Sequence, residues 1–245
     1  MRLDQALVER GLCDSREKAK RAVMAGQVTV NQHPARKASD LVREGDAVVL
    51  ATPEKFVSRG GHKLEHALEH FVLDVAGATA VDLGASTGGF TDCLLQRGAK
   101  QVFAVDVGHG QLAWKLRRDP RVVVMEKTNA RELTPAKFPP PFPLADVIVA
   151  DCSFISLRKI LPAAVALLRP SGKIVALVKP QFEAGRAEAD EGRGVITDPA
   201  IHRRVLAELE EFVRPLPVTW RGVTESPLLG PAGNKEFLVL LELNG

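Results

Sequence analysis

The chain has 245 residues, 45% of them hydrophobic and 26% charged, with a formal net charge of +3. That length holds one full domain plus a small one, and the composition is that of a globular protein rather than a disordered or collagenous chain. Its three cysteines, Cys13, Cys93 and Cys152, lack metal-ligand spacing, Met1-Arg2-Leu3-Asp4-Gln5 is no secretory signal, and the longest uncharged apolar run, Ile160 to Leu168, is too short for a bilayer. We therefore expect a cytoplasmic protein with no metal and no membrane insertion.

The positive excess lies in the first quarter. Residues 1–60 hold 11 Lys+Arg against 8 Asp+Glu, while the remainder holds 22 of each, which points to a polyanionic partner at this end. Leu3, Ala6, Leu7 and Arg10 have helical spacing, and Gly11 stops the helix. Asp14 or Ser15 can cap a second helix; with Asp14 as cap, Glu17 takes the reciprocal position. Arg16 and Lys20 share one face of this helix, with Lys18 and Arg21 beside them. Two short strands, 27–31 and 46–50, flank the polar, basic stretch Gln32 to Arg43.

This order, with Arg2-Leu3-Asp4, Ser15-Arg16, Gly26-x-Val28-x-Val30-Asn31 and Gly45-Asp46, resembles the RNA-binding module named after small-subunit ribosomal protein S-four. The resemblance implies an α+β domain over 1–54 that meets RNA chiefly through its phosphates. Arg2, Arg16, Lys18, Lys20, Arg21, Arg36 and Lys37 are the candidate contacts, joined by Arg59. Thr52-Pro53-Glu54-Lys55 reads as linker sequence, and we place a linker at 55–61 before a second domain over 62–245.

The second domain alternates strand and helix. Strands are expected at 79–83, 101–106, 122–125, 146–150 and 173–178, and helices at 62–71, 88–97, 110–117, 155–168 and 200–213. The alternation predicts a Rossmann-like α/β fold, a doubly wound and mostly parallel sheet with ligands beyond the carboxyl ends of the strands. Val218–Thr224 and Glu236–Leu243 read as a terminal β pair.

The most informative stretch is Thr79 to Phe90: a β-branched strand ending in an acid, a glycine-rich turn, then a helix start. Glycines let the backbone approach a ligand, and a helix N-terminus offers free N–H groups. Asp106, 22 residues after Gly84 at the end of the next strand, is placed to hold the hydroxyls of a ribose. Gly84-Ala85-Ser86-Thr87-Gly88 lacks both the dinucleotide glycine spacing and the Lys-Ser/Thr of a phosphate loop, so an adenosyl ligand without phosphates, such as S-adenosylmethionine, fits better. The candidate cofactor residues are Asp82, Gly84, Ala85, Ser86, Thr87, Gly88, Gly89, Phe90, Asp106, Val107, Asn129, Ala130 and Asp151. Asn129 is expected to reach the adenine base, beside a stiff loop with five prolines from Pro135 to Pro143.

Four polar residues stand near strand or helix ends. Asp151 follows Val147-Ile148-Val149-Ala150, Lys179 follows Val175-Ala176-Leu177-Val178 and precedes Pro180, Lys63 opens the helix before the first strand, and Glu236 begins the last strand. In chain order, lysine, aspartate, lysine and glutamate resemble the catalytic tetrad of the FtsJ-like ribose 2′-O-methyltransferases. The chain as a whole resembles their TlyA, or haemolysin A-like, branch. The shared blocks are Val57-Ser58-Arg59-Gly60-Gly61-x-Lys63-Leu64, the Val81–Thr91 turn, Ala104-Val105-Asp106-Val107-Gly108 with Gln111-Leu112, Asp151-x-Ser153-Phe154-Ile155-Ser156-Leu157, Leu177-Val178-Lys179-Pro180-Gln181-Phe182-Glu183 and Gly233-Asn234-x-Glu236-Phe237. One departure is Lys55-Phe56-Val57, where some members carry Arg-x-Trp-Val.

The resemblance implies S-adenosylmethionine as methyl donor, ribosomal RNA or a ribosomal subunit as partner, a ribose 2′-hydroxyl of cytidine as acceptor, and a monomer or weak dimer. It implies catalytic roles for Lys63, Asp151, Lys179 and Glu236, with Lys179 activating the hydroxyl. A free amine, ordinarily protonated to a pKa of about 10.4, has to be lowered to act as a base. Two other readings compete: a non-catalytic ribosome-assembly factor, against which four intact tetrad positions argue, and a membrane-active haemolysin, for which no segment is found. His62, His66 and His70 form a helical stripe flanking an apolar face, with no further ligand to complete a zinc site. Glu191-Gly192-Arg193-Gly194 reads as a loop near Lys179, either an RNA lid or a solvated turn.

Overall fold

The computed structural model describes residues 1–51, 54–185, 188 and 192–245, so Thr52 and Pro53 of the linker sequence and Glu191 of the expected loop lie outside the described residues. The chain divides into two compact units, Met1–Lys55 and Phe56–Gly245.

In the first unit, α1 (Leu3–Glu9) and α2 (Arg16–Met24) pack on an antiparallel sheet of β1 (Val28–Val30), β2 (His33–Pro34) and β3 (Val48–Leu50). Ser15, not Asp14, caps α2: its hydroxyl accepts from Lys18 N, while Asp14 pairs with the Lys18 ammonium. Leu3, Leu7, Ala19, Val23 and Val28 form the core. Asp4 is buried among them and takes two guanidinium groups, Arg2 at 3.1 Å and Arg16 at 3.0 Å. The Arg2 hydrogen bond, aided by Arg16, holds its carboxyl down at about 2.

The second unit contains α3 (Gly60–His70), β4 (Thr79–Leu83), α4 (Gly89–Gln96), β5 (Gln101–Val105), α5 (Trp114–Arg117), β6 (Val122–Met125), β7 (Ala145–Ala150), α6 (Leu161–Val165), β8 (Leu168–Val178), α7 (Pro180–Glu183), α8 (Pro199–Val213), β9 (Val218–Glu225) and β10 (Phe237–Leu243). One seven-stranded sheet runs β6-β5-β4-β7-β8-β10-β9, with β4 to β8 parallel and β10 antiparallel to both its neighbours. The strands read as continuous apolar runs because both faces are covered. Side-chain alternation sends Val81, Leu83 and Ile148 to the face under α6 and α8, and Ala80, Val147 and Val149 to the face under α3 and α4. The order reverses between β4 and β7, which opens a crevice at their carboxyl ends.

Several expected elements differ. The stretch read as a linker enters the second unit at Phe56, which is buried against that unit's core, and the Val57 amide donates to Asp92 Oδ2 at 2.8 Å. The expected helix 155–168 is broken. Phe154 takes a left-handed φ of 63°, Ser156 caps a short 3-10 turn at Leu157–Lys159, Pro162 fixes the start of α6, and β8 begins already at Leu168. The expected helix 110–117 shrinks to α5, since the Gly110 amide goes to Glu126 Oε1 and the Ala113 amide to Thr87 O. The proline-rich loop packs on β5, where Phe138 and Phe142 stack on each other and meet Phe103 edge-on. Pro143 lines a separate cavity with Thr79 and Lys173, at the sheet's opposite edge. Among the described residues no helix is long and apolar enough to cross a membrane.

Candidate active site

Two cavities adjoin at the carboxyl ends of β4, β7 and β8. The smaller, about 270 Å³, is lined by Lys63, Lys179, Glu236 and Arg59 among others. The larger, about 510 Å³, is lined by Asp106, Val107, Asn129, Ala130, Ile155 and Ile160 among others. Gly84, Ser86, Asp151 and Ser153 line both and form their common wall.

Gly84 sits where that wall is tightest. Its φ is +83°, and a Cβ there would lie 2.8 Å from the Asp151 carbonyl oxygen, so the β4 turn and the β7 end can approach only through glycine. Ala85, Thr87, Gly89 and Phe90 face the smaller cavity. Asp106 is held rigidly in the larger one: Ser86 N donates to Oδ2 and Gly108 N to Oδ1, each at 2.7 Å. Each oxygen keeps a lone pair for a ligand hydroxyl. Asn129 lines the same cavity, with its amide accepting from Arg131 N and donating to Glu132 Oε1.

Two expected cofactor residues line neither cavity. Gly88 packs under α5, where a Cβ would meet Leu116 Cδ1 at 2.2 Å. Asp82 is fully buried beneath the turn, with Oδ2 taking the Thr91 hydroxyl at 2.6 Å and Oδ1 without a hydrogen-bond partner. Burial, opposed by the Thr91 hydrogen bond and reinforced by the Asp151 charge, pushes its carboxyl from 3.8 up to about 7. Between those values the folded state carries a proton that the unfolded state has lost, so this group's contribution to stability falls as pH rises and is flat above about 7. Asp82→Asn is expected to remove that slope. Urea midpoints from pH 4 to 8 for both proteins check it, and parallel curves would refute it.

The four tetrad candidates meet around the smaller cavity as two ion pairs. Lys63 and Glu236, 173 residues apart, pair through Nζ and Oε2, with both side chains buried. Glu236 lines the smaller cavity, and its Oε1 is buried without a hydrogen-bond partner. Lys179 Nζ, also buried, lies 2.6 Å from Asp151 Oδ1 and donates to Ser153 Oγ at 2.8 Å. Ser153 entered the sequence reading only as part of a shared block; its role is invisible there because the Lys179 contact is tertiary. Glu183 ties the post-β7 loop to α7, accepting from Ser156 Oγ at 2.7 Å and from Leu157 N at 2.6 Å. Burial pushes the Cys152 thiol up to about 12, which disfavours its thiolate.

The histidine stripe goes elsewhere: His66 contacts Thr224 Oγ1 at 3.2 Å and stacks on His70. Among the described residues no group of three His, Cys, Asp or Glu is placed to hold a metal. In the first unit, Lys20, Arg21, Arg36 and Lys37 are exposed, whereas Arg2 and Arg16 are half engaged by Asp4 and Lys18 by Asp14. Arg59 is exposed on the rim of the smaller cavity.

Residues 56–243 match the model of the FtsJ-like methyltransferases, and residues 1–48 match the S4 domain. The chain is 47% identical over 242 residues to the 16S/23S rRNA (cytidine-2′-O)-methyltransferase TlyA of Mycobacterium tuberculosis, covering 98% of this chain and 89% of that protein. It is 40% identical over 238 residues to Hemolysin A of Brachyspira hyodysenteriae, covering 97% and 98%. A solved structure named "Putative hemolysin from Streptococcus thermophilus" superposes with a TM-score of 0.76 at 44% identity, covering 100% of this chain and 88% of that one.

Proposed function

Since the chain belongs to the TlyA branch of the FtsJ-like methyltransferases, we propose that it methylates a ribose 2′-hydroxyl, of cytidine, in ribosomal RNA, with S-adenosylmethionine as donor. The observation that carries this reading is the pair of adjoining cavities, one nucleoside-like in its lining and one holding a buried lysine, that share a single wall.

The larger cavity suits the adenosyl group. Asp106, preset by two backbone amides, would take the ribose hydroxyls, and Ile155, Ile160 and Ala130 supply apolar surface for a base. When bound there, S-adenosylmethionine supplies an electrophilic methyl group and departs as a neutral thioether, its positive charge passing out with the proton of the hydroxyl. In the smaller cavity Lys179 takes the proton of the 2′-hydroxyl as its oxygen gains the methyl. Asp151 offsets the ammonium that results. Glu236 Oε1, buried and unpartnered, is an acceptor for the incoming hydroxyl, and Lys63 neutralises its other oxygen. Holding hydroxyl and methyl in direct line where the two cavities meet turns a bimolecular encounter into an aligned one, which supplies much of the acceleration.

Incubation of the protein with ribosomal subunits and methyl-labelled S-adenosylmethionine tests this. Label mapped to a cytidine 2′-oxygen is the expected outcome. Absence of label on both subunits and on naked rRNA, with cofactor bound, would remove ribosomal RNA as substrate.

The first unit supplies RNA affinity through phosphate contacts. Replacing Lys20, Arg21, Arg36 and Lys37 by alanine is expected to weaken RNA binding on every sequence alike. It should also flatten the plot of log affinity against log salt by roughly 0.7–0.9 per lost contact. An unchanged salt slope would place the RNA on another face.

A further inference from the structure

We infer that Ser153 is a positioning residue of the methyl transfer: its hydroxyl, rather than the Asp151 carboxylate, sets the direction in which Lys179 Nζ faces the acceptor. The inference rests on Lys179 being the proton acceptor, as proposed above.

The two contacts of Lys179 differ in kind. Asp151 Oδ1 comes within 2.6 Å of Nζ as an ion pair, at angles outside those of a directed hydrogen bond. Coulomb attraction depends on distance and leaves the amine free to rotate about its Cε–Nζ bond. The contact to Ser153 Oγ at 2.8 Å is a directed hydrogen bond, and it defines one apex of the tetrahedral nitrogen. With that apex pinned, the remaining positions, one of them the lone pair of the free amine, are confined with respect to the cavity. A base acts only when its lone pair lies along the line of the departing proton.

Ser153 is well placed for this. It is exposed on the wall common to both cavities. Its own position is fixed from two sides. The chain turns sharply at Phe154, φ 63°, and the Phe154 ring meets Phe182 of α7 at 5.2 Å. Two residues further on, Glu183 of the same helix clamps Ser156 and Leu157. Because α7 starts immediately after Lys179, the serine loop and the lysine are fastened to one short element.

Ser153→Ala and Ser153→Thr test the inference. The alanine variant is expected to lose about 10- to 100-fold in single-turnover rate, the range for a hydrogen bond to a charged group. Its KM for RNA and its Kd for S-adenosylmethionine should stay within about twofold, and threonine should restore most of the rate. A readout independent of methyl transfer is the NMR signal of the Lys179 Nζ protons after 15N-lysine labelling. It should be protected in wild type and threonine variant and exchange-broadened in alanine. Wild-type rate and unchanged Nζ signal in Ser153→Ala would overturn the inference, as would a threonine variant that folds, binds cofactor and stays as slow as alanine. A protein that transfers no methyl but shows the expected Nζ pattern would overturn the proposed activity while leaving the anchoring of Lys179 by Ser153 intact.

Discussion

Lys179→Ala is expected to lower single-turnover methyl transfer by about 10³-fold, within the range that a positioned general base contributes. Lys179 lines the acceptor cavity and not the larger one, so cofactor affinity should change little. The change also leaves Asp151 without its cation at the shared wall, and Lys179→Met, which keeps the bulk but not the amine, should be as inactive as alanine. Labelled methyl incorporation beside calorimetric titration of S-adenosylmethionine measures both quantities. A variant within tenfold of wild type would show that the 2′-hydroxyl reacts without this base.

Glu236→Leu is expected to cost about 3–5 kcal/mol, because it leaves the Lys63 ammonium buried without its counter-charge. In a unit of this size that corresponds to a melting temperature roughly 10 °C lower. Lys63→Met alone should cost a similar amount by stranding the carboxylate. The double variant Lys63→Met/Glu236→Leu replaces the pair by apolar groups of similar shape and should recover most of the stability. It should not recover methyl transfer, since it also removes the buried acceptor Glu236 Oε1. Thermal melting and methyl incorporation on all four proteins separate the two contributions. Single variants as stable as wild type would mean that the pair is hydrated rather than buried.

Legibility varied with how local each feature is. The backbone of the β4 turn could be read locally, since Gly84 is required by backbone approach and Asp106 follows the neighbouring parallel strand, whereas Asp82 and Gly88 line neither cavity. The apolar face expected beside the histidine stripe appears as Leu64, Ala67 and Leu68 buried on α3, and the helix expected at 200–213 appears as α8, Pro199–Val213. The segment 155–168 misled because its apolar residues suit a helix or a buried turn equally. The break at Phe154 and Ser156 is imposed by Glu183, a residue 27 positions beyond Ser156.

By itself the sequence determined that a basic α+β module precedes a parallel α/β sheet, and that a glycine-built turn follows its first strand, because periodicity and turn chemistry act between residues close in the chain. Only the tertiary structure decided that Asp82 points inward while Asp106 points to the cavity, that Lys63 meets Glu236 across 173 residues, and that Lys179 has its directed bond with Ser153. Those outcomes depend on strand register and on the insertion of antiparallel β10 between β8 and β9. A strand's own pattern specifies which residues share a face, whereas its partners decide what that face meets.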